Sequence, residues 1–429
     1  MLFVADLHIH SKYSRATSGK MDLENLYKWA QMKGIKVMAT GDFTHPIWFK
    51  ELRSKLEPAE YGLFKLKPEI EKTLKDDVPE SCRSDMRFML TSEVSSIYTA
   101  LGKGRRVHNL IAVPSFEIAE EINKRLSMVG NLMSDGRPIL GLPSDKLAEI
   151  VFMVSEEAVL VPAHIWTPYF SVFGSMSGFD SLEECFGKWT DKIFAIETGL
   201  SSDPAMNWRL SALDKVTLIS NSDSHSLPRI GREANVFDTD LSYTAIWNAV
   251  REKDPKKFLF TIEFFPEEGR YHFDGHAACH MSCPPEETRK YNGICPKCSR
   301  KVTVGVLNRV EKLADREVGF VPKKHIPYKN LVSLDKIIAD AMGFAEISVK
   351  VQHEYLKLIY VLGNELKILL KTPIQEIAKI STPKIAEGVL KVREGKLKIV
   401  PGYDGEYGKI KIFSEKKPEG AVSAKANLS

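Results

Sequence analysis

The sequence predicts an α/β barrel, then a small cysteine module and a helical C-terminal domain. Three observations carry this. Residues 1–265 alternate short apolar runs with amphipathic stretches, the pattern of strands and helices in parallel sheets and barrels. The apolar runs end in His, Asp or Glu, and in an α/β barrel the C-terminal strand ends gather at one rim, where the chemistry sits. Four of the six cysteines fall between positions 279 and 298, and helical periodicity returns from about residue 309.

The elements follow in order. LFVADLHIH sets His8 and His10 two apart on an extended run beside Asp6, so both imidazoles point to one face. MDLENLYKWAQMKG reads as the first helix, and IKVMATGDF as a strand reaching Asp42, with His45 three residues on. Residues 46–86, including KELRSKLEPAEYGLFKLKPEIEKTLK, read as a charged, helical insertion. RFMLTSEVS brings Glu93 and VHNLIAVP brings His108; FEIAEEINKRL and KLAEIVFMVSEE are helices. AVLVPAHI ends at His164, IFAIETG at Glu197 and VTLISNSDSH at Asp223 and His225, with SLEECFGKW, PAMNWRLSALDK and YTAIWNAVRE as helices around them. The expected organisation is a barrel over 1–268, a zinc module over 269–308, a mainly helical domain over 309–415 and a flexible tail over 416–429.

Composition narrows the function. The chain has 429 residues, 43% hydrophobic and 27% charged, which suits a globular protein of two or three domains. No run reaches the ~20 apolar residues of a membrane span, and the start carries no signal-peptide pattern. Six cysteines without a framework pattern point to an intracellular, cytoplasmic protein. Charge is uneven: residues 1–268 hold 32 Lys and Arg against 38 Asp and Glu, whereas residues 269–429 hold 28 against 18. An acidic, His-rich part suits a multi-metal site, and a basic part suits a polyanion.

Imidazole and carboxylate are ligands of Zn, Mn and Fe, and the absence of Cys at these strand ends argues against a closed structural site. No GxSxG motif or P-loop is present. Cations held by such ligands make bound water more acidic and so a better nucleophile. His45 and Glu197 are candidates either for protonating the leaving group or for orienting the metal ligands by hydrogen bonds.

ACHMSCPPEETRKYNGICPKCSRK contains Cys279, Cys283, Cys295 and Cys298. Two close pairs across a short loop can wrap one tetrahedral Zn²⁺, and four thiolates leave no open position, so the job is folding. His276 and His280 are alternative ligands, and two disulfides are the remaining reading. Lys290, Lys297, Arg300 and Lys301 surround the cluster.

HxH on the first strand, TGDFTH on the second, Glu93, His108, PAH at 162–164 and SDSH at 222–225 resemble the motifs of the PHP (polymerase and histidinol phosphatase) superfamily. The resemblance covers roughly residues 1–265. It implies a distorted seven-stranded (β/α) barrel with two or three divalent metals (Zn, Mg or Mn) that cleaves phosphoesters. It also implies that His8, His10, Glu93 and Asp223 hold a first metal, and that Glu93 bridges to a second held by His108 and His164. A third would take His225 with Asp42 or His45; the superfamily's Asp-His second motif is here GDF, with His45 three residues on.

Over nearly its full length the chain resembles the endonuclease Q family of archaea and some bacteria. GDFTHPIW, IETGLSSDPAMNWRLSALD, NSDSHS, the four-Cys module and HIPYKNLVSLDKIIADAMG carry this. It implies DNA repair by cutting 5′ of deaminated bases (hypoxanthine, uracil, xanthine) and abasic sites, leaving a 3′-hydroxyl and a 5′-phosphate. An enzyme that inspects one base takes it out of the stack. IWTPYFSVFGSMSGF supplies Trp166, Tyr169, Phe170, Phe173 and Phe179 as base-pocket candidates, although such a loop can equally pack its own small core. Damaged DNA, single- or double-stranded, is the expected partner, with a sliding clamp as a candidate partner of the tail. The rivals are a small-molecule phosphatase, a 3′→5′ exonuclease and a non-enzymatic DNA-binding protein.

Overall fold

Strand Leu2–Asp6 lies at the centre of a large mixed sheet. In the computed structural model, which describes residues 1–413, it pairs in parallel with Val37–Ala39, which pairs in parallel with Arg87–Ala100. The expected tail over 416–429, with its candidate clamp contact, lies outside the described residues. Arg87–Ala100 and Lys103–Val113 form one long antiparallel hairpin, and Val159–Pro162 adds antiparallel to it. Ala195–Glu197 and Thr217–Ile219 form a separate parallel pair, which approaches the first strand through an Ile9–Ser224 bridge. On its other side Leu2–Asp6 takes Ala234–Asp238 and then Phe258–Glu263, both antiparallel, and Tyr328–Asn330 joins that edge.

Two features differ from the sequence pattern. The runs bearing Glu93 and His108 are arms of one hairpin, closed by Leu101 and Gly102 at φ 52° and 70°, as a two-residue hairpin turn requires. Ala234–Asp238 and Phe258–Glu263 are strands that the alternation did not reveal. Insertion 46–86 contains helices Pro46–Lys55 and Pro68–Leu74 around a hairpin that joins the main sheet through Phe64–Phe88.

One core fills the space enclosed by these strands. Ala5, Val37, Met89, Leu110, Val161, Ala195 and Ile219 meet there, each a residue whose strand neighbours point the other way. Helix Tyr243–Glu252 packs on this core, with the Tyr243 hydroxyl 2.9 Å from Ala112 O and 2.8 Å from Glu157 O. Those carbonyls lie at the strand ends opposite His108 and His164. A larger second core packs the outer helices.

The C-terminal part has helices Leu334–Met342, Val349–Leu362, Glu365–Leu370, Ile374–Ile380 and Pro383–Arg393, then a hairpin of Lys398–Val400 and Lys409–Lys411. The periodic stretch at 346–370 is broken because Gly363 sits at φ 95° and Asn364 caps the next helix through Lys367 N at 2.9 Å. A buried ion pair, Lys33–Glu365 at 2.5 Å, ties this part to the first helix, and the Tyr355 hydroxyl donates to the same carboxylate. Among the described residues no helix is long and apolar enough to cross a membrane.

Candidate metal centre

Past Asp6 the chain stays extended, so His8 and His10 keep one side and their rings lie 5.4 Å apart. Asp6 anchors this segment by accepting from Ser222 N and Gly231 N at 3.0 and 2.9 Å. Glu93 and His108 come from facing hairpin arms, His164 from just beyond Val159–Pro162, and Asp223 from beyond Thr217–Ile219. Asp42, His164 and Asp223 all have positive φ, at 52°, 29° and 45°. Such backbone strain in non-glycine residues concentrates at functional sites.

The side chains form two adjoining groups that share one carboxylate. His8, His10, Glu93 and Asp223 bring four ligand atoms within 4.8 Å of one another, and Glu93, His108 and His164 bring three. His10 Nε2 is 3.0 Å from Asp223 Oδ1 and 3.3 Å from Glu93 Oε2. Glu93 Oε1 is 3.0 Å from His108 Nδ1 and 3.1 Å from His164 Nε2. Glu93 Oε2 therefore faces His10, whereas Oε1 faces His108 and His164 and also lies 3.7 Å from His8 Nε2. His8 Nε2, His10 Nε2 and Asp223 Oδ1 are buried without a hydrogen-bond partner. Buried lone pairs left so are costly, and together they fit a divalent cation with His and carboxylate ligands.

The electrostatics favour a cation here. Burial works against charge on His8, but Glu197 and then Glu93 raise its pKa to about 9. Burial would raise Glu93, yet His108, Arg137 and His8 hold it well below the ordinary carboxylate range. Burial also opposes ionisation of Asp223, which His10 and His8 keep well below its usual value. Burial outweighs the attraction of Glu93 at His108 and lowers its pKa to about 4.

Glu197 and Asp42 hold ligands in place. Glu197 receives His8 Nδ1 at 3.1 Å, Asn221 Nδ2 at 2.9 Å and His164 N at 2.9 Å. Asp42 Oδ1 takes His10 Nδ1 at 3.0 Å, while Oδ2 accepts from Ser11 N, Ser11 Oγ and Ser14 Oγ. A carboxylate on the far nitrogen of a ligating imidazole fixes its ring and tautomer. His45 caps helix Pro46–Lys55 through its Nδ1, 3.4 Å from Trp48 N, and stacks on Tyr13. His225 packs its ring 4.4 Å from that of His10 and is partly open to solvent.

Sequence reasoning missed Arg137. Its Nη1 donates to Glu93 Oε2 at 3.1 Å, and a guanidinium there can also meet a phosphate. It comes from a loop after Gly136 with no periodic signal; the SDGRP turn was the only hint. Ser11, Ser14 and Asn221 were missed for the same reason.

The aromatic loop divides. Trp166 and Phe173 are 1% and 2% exposed, pack with tilted rings 4.9 Å apart, and Trp166 Nε1 donates to Asn207; Phe179 is buried too. They face the core. Tyr169 is 44% exposed, and Phe170, at φ 62°, lies 4.7 Å from the His108 ring and 5.5 Å from the Arg106 guanidinium. Arg309 on helix Val306–Leu313 clamps this loop, donating to Phe173 O, Phe179 O and Asp180.

In the cysteine module, Cys279, Cys295 and Cys298 converge with His276, and Cys283 is not in that group. Burial opposes ionisation of Cys295, but the amides of Lys297 and Cys298 lower its pKa.

A rim that collects buried imidazoles and carboxylates into two adjoining cation-sized groups makes this a metal-dependent hydrolase. The fold matches the crystal structure of the lesion-specific endonuclease PfuEndoQ from Pyrococcus furiosus, with a TM-score of 0.83 and 30% identity over 96% of this chain and 95% of that one. The chain belongs to the endonuclease Q family. A second endonuclease Q structure, in complex with a 27-mer duplex substrate with an abasic lesion at the active site, matches at a TM-score of 0.82 and 30% identity, covering 98% and 99% of the two chains. Residues 333–396 match the MJ0043 C-terminal domain family. The MJ0043 protein of Methanocaldococcus jannaschii is 35% identical over 259 residues, 58% of this chain but only 32% of that protein's length. YqxK of Bacillus subtilis is 27% identical over 422 residues, 95% of this chain and 98% of its own.

Proposed function

We propose that the protein is a DNA-repair endonuclease. It cuts the strand 5′ of deaminated bases (hypoxanthine, uracil, xanthine) and of abasic sites, leaving a 3′-hydroxyl and a 5′-phosphate. The observation that carries this reading is Glu93, the carboxylate shared by two adjoining ligand groups. His8, His10, Glu93 and Asp223 would hold one divalent ion, and Glu93, His108 and His164 a second, of Zn, Mg or Mn. When bound, such ions neutralise the phosphoryl oxygens and make water more acidic. Asp42 and His45 are engaged as described, so His225 is the remaining rim candidate for a third ion.

The seven strands whose ends carry these residues are read as one distorted barrel, supported by the Ile9–Ser224 bridge between its first and last members. Glu197 and Asp42 hold His8 and His10 in the ligating orientation. Arg137 is placed to meet a non-bridging phosphate oxygen where charge builds up. In the overall step the oxygen of water bonds to phosphorus and the P–O3′ bond breaks. One proton of that water ends on O3′, and the other leaves to solvent. Tyr169 and Phe170, with Arg106, offer a stacking platform for an extruded base. The cysteine module would hold one structural zinc ion, and the basic residues of 269–413 would contact phosphates, so DNA affinity should fall steeply with salt.

The test uses end-labelled duplexes carrying a single hypoxanthine, a uracil, an abasic site or no lesion, with Mg²⁺ or Mn²⁺. The reading expects one product, cut just 5′ of the lesion and absent from intact DNA. Turnover of a small phosphomonoester without strand cutting would replace it with a phosphatase. Lesion preference that survives loss of both Tyr169 and Phe170 aromatic rings would remove them from base recognition.

A further inference from the structure

We infer that the zinc ion of the cysteine module is held by His276, Cys279, Cys295 and Cys298, and that Cys283 is not a ligand. This goes beyond the endonuclease reading and does not depend on it. The first support is convergence: one ligand atom from each of the four lies within 4.8 Å of every other. Zn–S and Zn–N bonds of about 2.3 and 2.0–2.1 Å in a tetrahedron place neighbouring S and N atoms about 3.5 Å apart. His276 Nδ1 is 3.6 Å from Cys298 Sγ.

The second support is hairpin register. Asp274–His276 pairs antiparallel with Met281–Cys283, with His276 opposite Met281 and Asp274 opposite Cys283. His276 and Cys279 therefore occupy the closed end of the hairpin. Cys283 stands two residues further down its strand, roughly 7 Å away at strand rise. Its Sγ rests 3.2 Å from Thr288 Oγ1, and the residue is 2% exposed, packed with Met281, Cys295 and Val302. Cys283 is a core residue of the module.

The third support is spacing. His276-Ala-Ala-Cys279 and Cys295-Pro-Lys-Cys298 are both two-residue loops, the separation that lets one tight turn present two ligands. The second turn is closed by Cys295 N on Arg300 O at 2.7 Å and Ser299 N on Cys295 O at 2.8 Å. Lys297 Nζ crosses to Cys279 O at 2.7 Å and ties the two turns together. Grouping cysteines alone gives a three-residue gap on one side, which obscures this symmetry.

The experiment replaces zinc by Co²⁺ in the full-length protein. Thiolate-to-cobalt absorption in the near ultraviolet counts sulfur ligands. The rim groups contain no cysteine, so they contribute nothing to it. Cys283→Ser and Cys283→Ala should keep the full band and the chelator-resistant zinc equivalent. Cys279→Ser should lose band intensity. His276→Ala should lose zinc to a chelator, and His276→Cys should restore zinc with a stronger thiolate band than the parent. Loss of the band in both Cys283 variants, with His276→Ala unchanged, would overturn the assignment. A lower melting temperature with the band intact in Cys283→Ala would support it, since that is the signature of a packing residue.

Discussion

The barrel rim and the cysteine module both gather metal-ligating side chains, but they are held in opposite ways. At the rim each first-group imidazole already has an orienting partner: Glu197 on His8, and Asp42 on His10. These groups stand on strands anchored in a large core. The module's core is Met281, Cys283, Cys295 and Val302, with Cys279 against it. So few residues cannot bury enough surface to fold a unit unaided. A cation at the rim would therefore meet a preformed scaffold, whereas one in the module would be needed for folding.

Chelation is the largest test of that contrast. Removing all divalent ions should abolish strand cutting while the barrel amides keep their hydrogen-exchange protection, and residues 274–303 should lose theirs. Collapse of barrel protection at the same chelator concentration would break the comparison. Next in size, Asp223→Asn should lower activity by more than the 10–100-fold typical of losing a ligand's supporting partner, with little change in melting temperature. Glu197→Gln and Asp42→Asn should each fall within that 10–100-fold range. Their loss should show as weaker metal affinity, read by metal titration of cutting.

A smaller effect joins the two regions. Arg309, just beyond the module, is buried and carries the carbonyls of Phe173 and Phe179. Arg309→Met leaves those carbonyls unpaired, which should cost about 1–3 kcal/mol in a denaturant melt. Lesion preference should weaken before the rate on abasic DNA does.

The smallest concerns pH. Burial raises the Glu263 carboxyl to about 8, and the neighbouring Glu233 is pushed in the same direction. The folded state thus holds a proton that the unfolded chain releases near 4.5. This stabilisation is complete below about 4.5 and is lost as pH rises toward 8. Glu263→Gln should flatten the fall of melting temperature across that window, and an unchanged slope would exclude Glu263 as its source.

Much of the rim was legible because a ligand type flanks or follows an apolar run in each strand, His108 standing before its run and the others after theirs. His8, His10, Glu93, His108, His164 and Asp223 needed only strand periodicity and chain order. What was not legible depends on direction. Asp42 looks like a ligand in sequence and Glu197 like either an acid or an orienting group, and only the fold shows each turned to the back of an imidazole. Trp166 and Phe173 have the same apolar character whether they face DNA or core, and burial decides. The 87–113 hairpin was hidden because Lys103, Gly104, Arg105 and Arg106 interrupt the apolar pattern on its second arm, and Arg137 because its loop has no period. His276 stood only as an alternative ligand, because the hairpin register that sets it beside Cys279 is not encoded in cysteine spacing.

The most direct test of the central claim uses Glu93, the one side chain common to both rim groups. A covalently closed circle with one abasic site, and its lesion-free twin, would be incubated with the parent protein and with Glu93→Gln. The account predicts that the parent opens only the damaged circle. Glu93→Gln should leave both closed while keeping the module's thiolate–cobalt band. Nicking of the damaged circle by Glu93→Gln at the parent's rate would contradict the account.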